Sequence, residues 1–197
     1  MLATALCLLA VLLLAWLLAR TLFGYGPRDP ALAQFSAREQ AFLAAAADAA
    51  FPPGGELPAS GSEAGVVRHV DRWVGLLPRR NRVLIRLLMV FFEHATLIFP
   101  APGRGGRRRF SALPLAQRIE LLDDWVRSPL RLRRIVFASL RTLLTSAYFA
   151  SPAVLRATGL APLAMETPVV EADLLYPRIG HARDTIAWRR EDLERPV

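Results

Sequence analysis

Lysine is absent from this 197-residue chain, and all 25 of its basic side chains are arginines. Cysteine occurs once, as Cys7, which excludes an internal disulfide, a cysteine-ligated zinc site and a haem-attachment motif. A hydrophobic content of 53% excludes a disordered chain. Because a protein without disulfides can occupy either side of a membrane, the cysteine count leaves the redox compartment open.

The N-terminal segment is the most apolar part of the chain and accounts for much of its mean hydropathy of +0.30. Residues 2–19 carry no charge and approach the roughly 20 residues that a helix needs to cross a bilayer. Trp16 and Arg20 suit the membrane interface. No basic residue and no twin-arginine pair precedes the apolar run, so we predict an uncleaved anchor over residues 1–23. An atypical signal peptide is the alternative.

The segment after the anchor contains helix breakers and predicts a linker over residues 24–34. Arg20, Arg28 and Arg38 follow the apolar run, and no arginine precedes it. The positive-inside rule therefore favours a single pass with the body on the cytoplasmic side.

Residues 35–159 show helical periodicity and no sustained alternation of period two. Two capping boxes and two Ser-Pro pairs mark helix starts. We therefore predict an all-α fold, with a compact bundle of five or six helices around one core. The start signals are Ser36 with Glu39, Ser60 with Glu63, Ser128-Pro129 and Ser151-Pro152.

Residues 83–99 form the most hydrophobic internal stretch, which resembles a second membrane span. Its polar stripe contains Arg86 and Glu93, and a charge near the bilayer centre costs about 2.5–3.5 kcal/mol. We therefore predict a buried core helix, with its apolar stripe facing inward and its polar stripe at the surface or ion-paired. The predicted inward stripe is Val83, Leu84, Leu87, Leu88, Phe91, Phe92, Ala95, Ile98 and Phe99, and the outward stripe is Arg82, Arg86, Met89, Glu93 and Thr96.

The C-terminal segment, residues 160–197, has no periodic apolar face and predicts an irregular, extended arm. It carries five arginines against seven acidic residues, whereas residues 35–159 carry eighteen against nine. Isolated apolar clusters stand at residues 169–170 and 174–176. The segment is either an arm that lies over its own domain or a partner, or a partly disordered terminus.

The sequence offers no convergent set of catalytic or metal-binding groups. His69, His94 and His181 lack a second ligand at a spacing such as H-E-x-x-H. Asp123 and Asp124 are adjacent and diverge on a helix, whereas paired catalytic acids converge from separate elements. We therefore predict a non-catalytic protein with no cofactor or metal bound to this chain.

Three arginine clusters stand at residues 79–82, 107–109 and 131–134. No aromatic residues are interleaved with them and no helix-turn-helix pattern is present, so nucleic acid is disfavoured as a partner. Solvated or ion-paired faces, and contact with lipid headgroups or a partner protein, both remain open.

Three segments of the body resemble the small subunit of gluconate 2-dehydrogenase (the subunit 3 family) and related small subunits of flavin-dependent dehydrogenases. Together they span about 125 residues, in the order and spacing of that family. The segments are residues 35–52 (FSAREQAFLAAAADAAFP), 110–122 (FSALPLAQRIELL) and 147–160 (AYFASPAVLRATGL).

The resemblance implies a helical accessory subunit that binds a large FAD-dependent oxidoreductase of the glucose–methanol–choline type. FAD is then expected in the partner subunit and not in this chain. Family members often carry a twin-arginine export signal, so the anchor here suggests tethering at a bacterial inner membrane, with lipid as a second partner. The predicted partner-binding residues are Arg107, Arg108, Arg109, Tyr148, Leu174, Leu175 and Tyr176.

Overall fold

The computed structural model describes residues 2–160, 169–177, 182–186, 189–190 and 193. Within these residues the chain forms eight α-helices and two 3₁₀ turns and no strand, which confirms the all-α prediction. The helices are α1 (Leu2–Leu22), α2 (Ala37–Ala50), α3 (Val66–Leu76), α4 (Arg79–Ala95), α5 (Leu115–Val126), α6 (Arg131–Phe149), α7 (Pro152–Ala157) and α8 (Glu171–Leu175), and the 3₁₀ turns are Phe110–Ala112 and Arg183–Thr185.

The chain divides into two units, Met1–Leu160 and Ala161–Val197. The first contains α1 and the helices α2–α7, which make up the body. In the second, α8 begins where the backbone N–H of Val170 donates to Asp173 at 2.9 Å. The α8 helix and the turn at Arg183–Thr185 are the regular structure described in the predicted irregular arm.

Helix α1 is long and apolar enough, over Thr4–Leu22, to cross a membrane. None of the residues in its apolar window is buried by the described part of the protein, and Arg20 near its end contacts the body. The helix ends before Gly24, whose φ of 78° lies in the left-handed region that glycine adopts without strain. The helix therefore ends at Leu22, one residue before the end of the predicted anchor.

Helix α2 lies at the centre of the body and packs against α3, α4, α5 and α6. Its start follows the predicted capping box, because the backbone N–H of Ser36 donates to Glu39 at 2.8 Å. Buried alanines let neighbouring backbone approach closely. At Gly61 a Cβ atom would lie 2.3 Å from the carbonyl carbon of Ala47, so only glycine fits there.

Two predicted helix starts are displaced. Ser60 and Glu63 do form a reciprocal box, with N···O distances of 2.7 and 3.2 Å, but it closes a turn and α3 begins at Val66. The Ser128 hydroxyl accepts from the N–H of Leu130 at 3.3 Å, and α6 begins one residue later. The predicted hydrogen bonds are present, but each set closes a turn that precedes its helix.

Aromatic side chains fill the core between the helices. Phe42 contacts Phe110 with ring centroids 5.6 Å apart, and Phe92 contacts Trp125 at 4.6 Å. Tyr148 stacks on a further ring, that of Phe51, at 3.8 Å. These contacts join α2, α4, α5 and α6 into one core, because large rings supply much of the apolar area that a small bundle buries.

The predicted inward face of α4 is wrong for most of its length. Met89, Glu93 and Thr96 of the predicted outward stripe are buried, whereas Leu84 and Leu87 of the inward stripe are 55% and 59% exposed. Burial of the polar face costs little because its polar groups have partners in the fold, described below. The leucine side of α4 is therefore left at the surface.

Candidate docking surface and anchor junction

The acidic residues considered for catalysis lie on the surface in separate ion pairs. Asp123 pairs with Arg127, one turn along the same helix. Asp124 pairs with Arg133 of α6 at 2.9 Å. Within the described residues, no group of three or more histidine, cysteine, aspartate or glutamate side chains could hold a metal ion.

Histidine His94 lies among cations at the end of α4. Burial, together with the positive charges of Arg20, Arg109 and Arg38, lowers the pKa of His94 from 6.5 to about 4. Its buried Nε2 atom has no hydrogen-bond partner in the described part of the chain. At pH 7 the imidazole is therefore neutral. His69 lies on the wall of a surface groove, and His181 lies outside the described residues.

Two buried acids fasten loops to the body. The Asp71 carboxylate accepts from the backbone N–H groups of Ala33, Gln34 and Phe35 at 2.9–3.2 Å. Glu93 accepts from the N–H of Ser111 at 3.0 Å and from its hydroxyl at 2.6 Å. Burial raises the pKa of Glu93 above its ordinary value, and the bonds from Ser111 oppose that rise. The residues next to Asp71 and Glu93 in the sequence do not predict that either carboxylate holds a distant loop.

The end of the anchor is fixed to the body by two arginines. Arg20, in the last turn of α1, donates to the Thr96 hydroxyl at 2.9 Å. Arg109 donates to the carbonyl oxygens of Phe23 and, at 2.8 Å, Gly24. The bonds from Arg109 give partners to the carbonyl groups of the two residues that follow α1. We call this set of contacts the anchor junction.

Tyr25 completes the anchor junction. Its ring lies under the Arg109 guanidinium, 4.1 Å from the charge centre, a cation–π geometry. Its hydroxyl is buried beside the Glu93 carboxylate, close enough for the two groups to act on each other. Burial, followed by the negative charge of Glu93, raises the pKa of Tyr25 above 10.

The linker between the anchor and α2 is also held against the body. Arg28 donates to the Leu32 carbonyl at 2.8 Å. The backbone of Asp29 exchanges two hydrogen bonds with the Gln40 side-chain amide, at 2.8 and 3.2 Å. The linker is therefore part of the packed structure.

Two adjoining apolar grooves run along the exposed side of α4 and share Leu84 and Leu88. The groove that does not extend to the C-terminal end of α4 is called the distal groove. It lies against α3 and the C-terminal half of α6 and has a cavity volume of about 450 Å³. The groove that extends to Phe99, beyond the C-terminal end of α4, is called the proximal groove. It lies against the N-terminal half of α6 and has a volume of about 530 Å³. The distal groove is lined by His69, Val70, Trp73, Leu84, Ile85, Leu88, Ser139, Thr142, Leu143, Ser146 and Ala147, and the proximal groove by Leu84, Leu87, Leu88, Phe91, Phe99, Trp125, Leu130, Arg131, Leu132, Arg133 and Val136.

The grooves expose large side chains that a soluble helix normally buries. Leu87 is 59% exposed, Leu132 is 72% exposed, and Trp73 at the distal end is 44% exposed. Among the described residues, the charged side chains in the lining are Arg131 and Arg133 of the proximal groove, and neither groove is lined by an acidic residue. A contiguous apolar surface with a cationic rim is typical of a binding site.

The predicted partner-binding residues fall in different places. Arg107 donates to the Leu97 carbonyl at 2.7 Å, Arg108 is exposed, and Arg109 belongs to the anchor junction. Tyr148 is 0% exposed and donates to the Ala59 carbonyl at 2.7 Å, so it is a core residue. Leu174 is half-buried, and Leu175 and Tyr176 are exposed within the second unit.

Sequence reasoning missed the grooves because it placed their leucines in the core. One available signal was Met89, an apolar residue on the stripe that was predicted to face water.

Comparison with models of known protein families finds no match to this chain. Comparisons with curated proteins and with solved structures find none either. The family resemblance seen in the sequence therefore stays a prediction.

Proposed function

We propose that this chain is a membrane-anchored, non-catalytic docking subunit, and that the distal groove binds its partner protein. The observation that carries the proposal is the exposed apolar side of α4 on a body that is fixed to the end of α1. An apolar surface costs free energy in water, at about 25 cal/mol per Å², and a partner that covers it recovers that cost. The anchor would hold the bound partner at the membrane.

The partner proposed here is a large FAD-dependent oxidoreductase subunit of the glucose–methanol–choline type. This part of the proposal is supported by the resemblance of residues 35–52, 110–122 and 147–160 to the small-subunit family. FAD would then be bound by the partner. The protein would be a single-pass component of a bacterial inner membrane, with its body on the cytoplasmic side as the arginines after α1 suggest.

The test is co-purification of the full-length chain from its native membrane in mild detergent. We expect a large polypeptide with flavin absorbance to be retained. Trp73→Asp should release it, because Trp73 lines only the distal groove and is 44% exposed, and the substitution would place the new charge beneath the partner. Val126→Asp, an exposed position on α5 outside both grooves, is the matched control and should retain the partner.

A protein without flavin that is lost from Trp73→Asp would support docking and exclude the oxidoreductase. That result would favour a second candidate function, a membrane-tethered helical adaptor that binds another protein and has no redox role. Absence of any partner from the unaltered chain, in repeated mild preparations, would remove the docking proposal itself.

A further inference from the structure

The anchor junction places the C-terminal end of α4 at the membrane interface. Arg20 lies two residues before the end of α1 and contacts Thr96 directly, at 2.9 Å. Phe99 follows Thr96 by three residues, so its Cα lies within about 11 Å of that of Thr96. The headgroup region of one leaflet is itself about 5–8 Å thick. Phe99 and the proximal groove that it lines are therefore within reach of lipid.

The lining of the proximal groove combines an apolar floor with fixed positive charge. Arg133 lies 4.4 Å from the ring of Phe99 and 4.7 Å from that of Trp125, measured from its guanidinium carbon to each centroid. Its guanidinium is ion-paired with Asp124 and its side chain is only 12% exposed, so the charge open to a ligand is that of Arg131. Arg131, the first residue of α6, is exposed on the same wall. Apolar length beside cationic groups is the chemistry that recognises an anionic phospholipid.

We infer that the proximal groove binds an anionic phospholipid from the leaflet next to the anchor junction. One acyl chain lies along Leu87 and Phe91 of α4 and Leu132 of α6, and the phosphate contacts Arg131. The occupant is a lipid because the groove reaches the interface at Phe99. This inference goes beyond the proposed docking of a protein, and it rests only on α1 spanning a bilayer.

The test is native mass spectrometry of the full-length protein in mild detergent, with added dioleoyl phosphatidylglycerol or dioleoyl phosphatidylcholine. We expect the unaltered chain to retain phosphatidylglycerol preferentially. Arg131→Gln should lower that affinity about fivefold, the contribution expected of one arginine at an anionic surface. Leu87→Asp should lower it about tenfold or more, because apolar contact is lost and a repelling charge is added.

Two control variants match these substitutions outside the groove. Arg141→Gln removes an exposed arginine from the same helix, and Val126→Asp adds the same charge at an exposed apolar position of α5. Both should keep the preference for phosphatidylglycerol. The altered side chains are all exposed, so the variants should fold, and circular dichroism checks this for each.

Three outcomes would overturn the inference. Equal retention of the two lipids, or unchanged retention in both groove variants, would show lipid held by α1 alone. Retained lipid selectivity in Leu87→Asp with loss of a co-purifying protein would make the proximal groove part of a protein interface. If no flavoprotein co-purifies but the protein keeps its preference for phosphatidylglycerol, the result would count only against the proposed partner.

Discussion

The guanidinium of Arg109 stacks on Tyr25 and donates to the carbonyl groups of Phe23 and Gly24. One side chain from the loop before α5 thereby closes the end of α1, 85 residues earlier in the sequence. The anchor and the body are joined by these contacts as well as by the chain.

Removing this contact should loosen the end of the anchor. We expect Arg109→Gln to raise amide hydrogen exchange in residues 20–32 about tenfold, because the helix end loses a charge-assisted cap worth about 1.4 kcal/mol. Exchange measured by mass spectrometry on the full-length protein tests this. Arg108→Gln, at the exposed neighbouring position, should leave the exchange unchanged, and an equal rise in both variants would contradict the role of Arg109.

The orientation of α4 predicts a contrast between two apolar residues that are two positions apart. Met89 is 1% exposed, and Met89→Ala should lower the free energy of unfolding by about 2–5 kcal/mol through loss of packing. Leu87→Gln should change it by no more than about 0.5 kcal/mol, because the side chain already faces solvent. Denaturant titration of the full-length protein in detergent measures both, and a large cost at Leu87 would show that this face is packed.

The Asp71 carboxylate should be among the most important polar groups for stability. Asp71→Ala leaves three backbone N–H groups without their acceptor and should cost about 3 kcal/mol. Asp71→Asn keeps one acceptor oxygen and should cost less. Glu120→Ala, at an exposed position of α5, serves as the reference in the same titration, and a cost equal to that reference would refute the assignment.

His94 should make stability depend on pH. Its pKa is about 4 in the folded protein and about 6.5 when unfolded, so the unfolded chain binds more protons between these values. The contribution of neutral His94 to the free energy of unfolding is fully present above pH 6.5 and declines as the pH falls towards 4. His94→Gln should flatten that part of the profile, and an NMR titration should find the imidazole neutral at pH 5.5. A protonated imidazole at that pH would contradict the prediction.

The sequence predicted the apolar N-terminal helix, the helical class and the α2 capping box because each depends on neighbouring residues. An uncharged run as long as residues 2–19 has few alternatives, and Ser36 and Glu39 meet within one turn. The fold class follows from such local patterns, repeated along the body.

The direction in which α4 faces could not be read in the same way. Glu93 is buried because Ser111 satisfies its carboxylate, and Thr96 is buried because Arg20 reaches it from the anchor. Both partners are distant in the sequence, so periodicity alone favoured the leucine side. The same limit applies to Arg109, whose neighbours in sequence indicate only a basic loop.

The hydrogen-bonded linker restricts the position of anything bound to the body. Asp29 is hydrogen-bonded to Gln40, and Gly24 is hydrogen-bonded to Arg109. Residues 24–34 are therefore a rigid connection and not a flexible tether. Under the proposed function, with α1 in a bilayer, a bound protein would stand at one height and one tilt above the lipid surface. Its freedom would reduce to lateral diffusion and to spinning about the membrane normal, so the same side of it would always meet whatever travels in that plane.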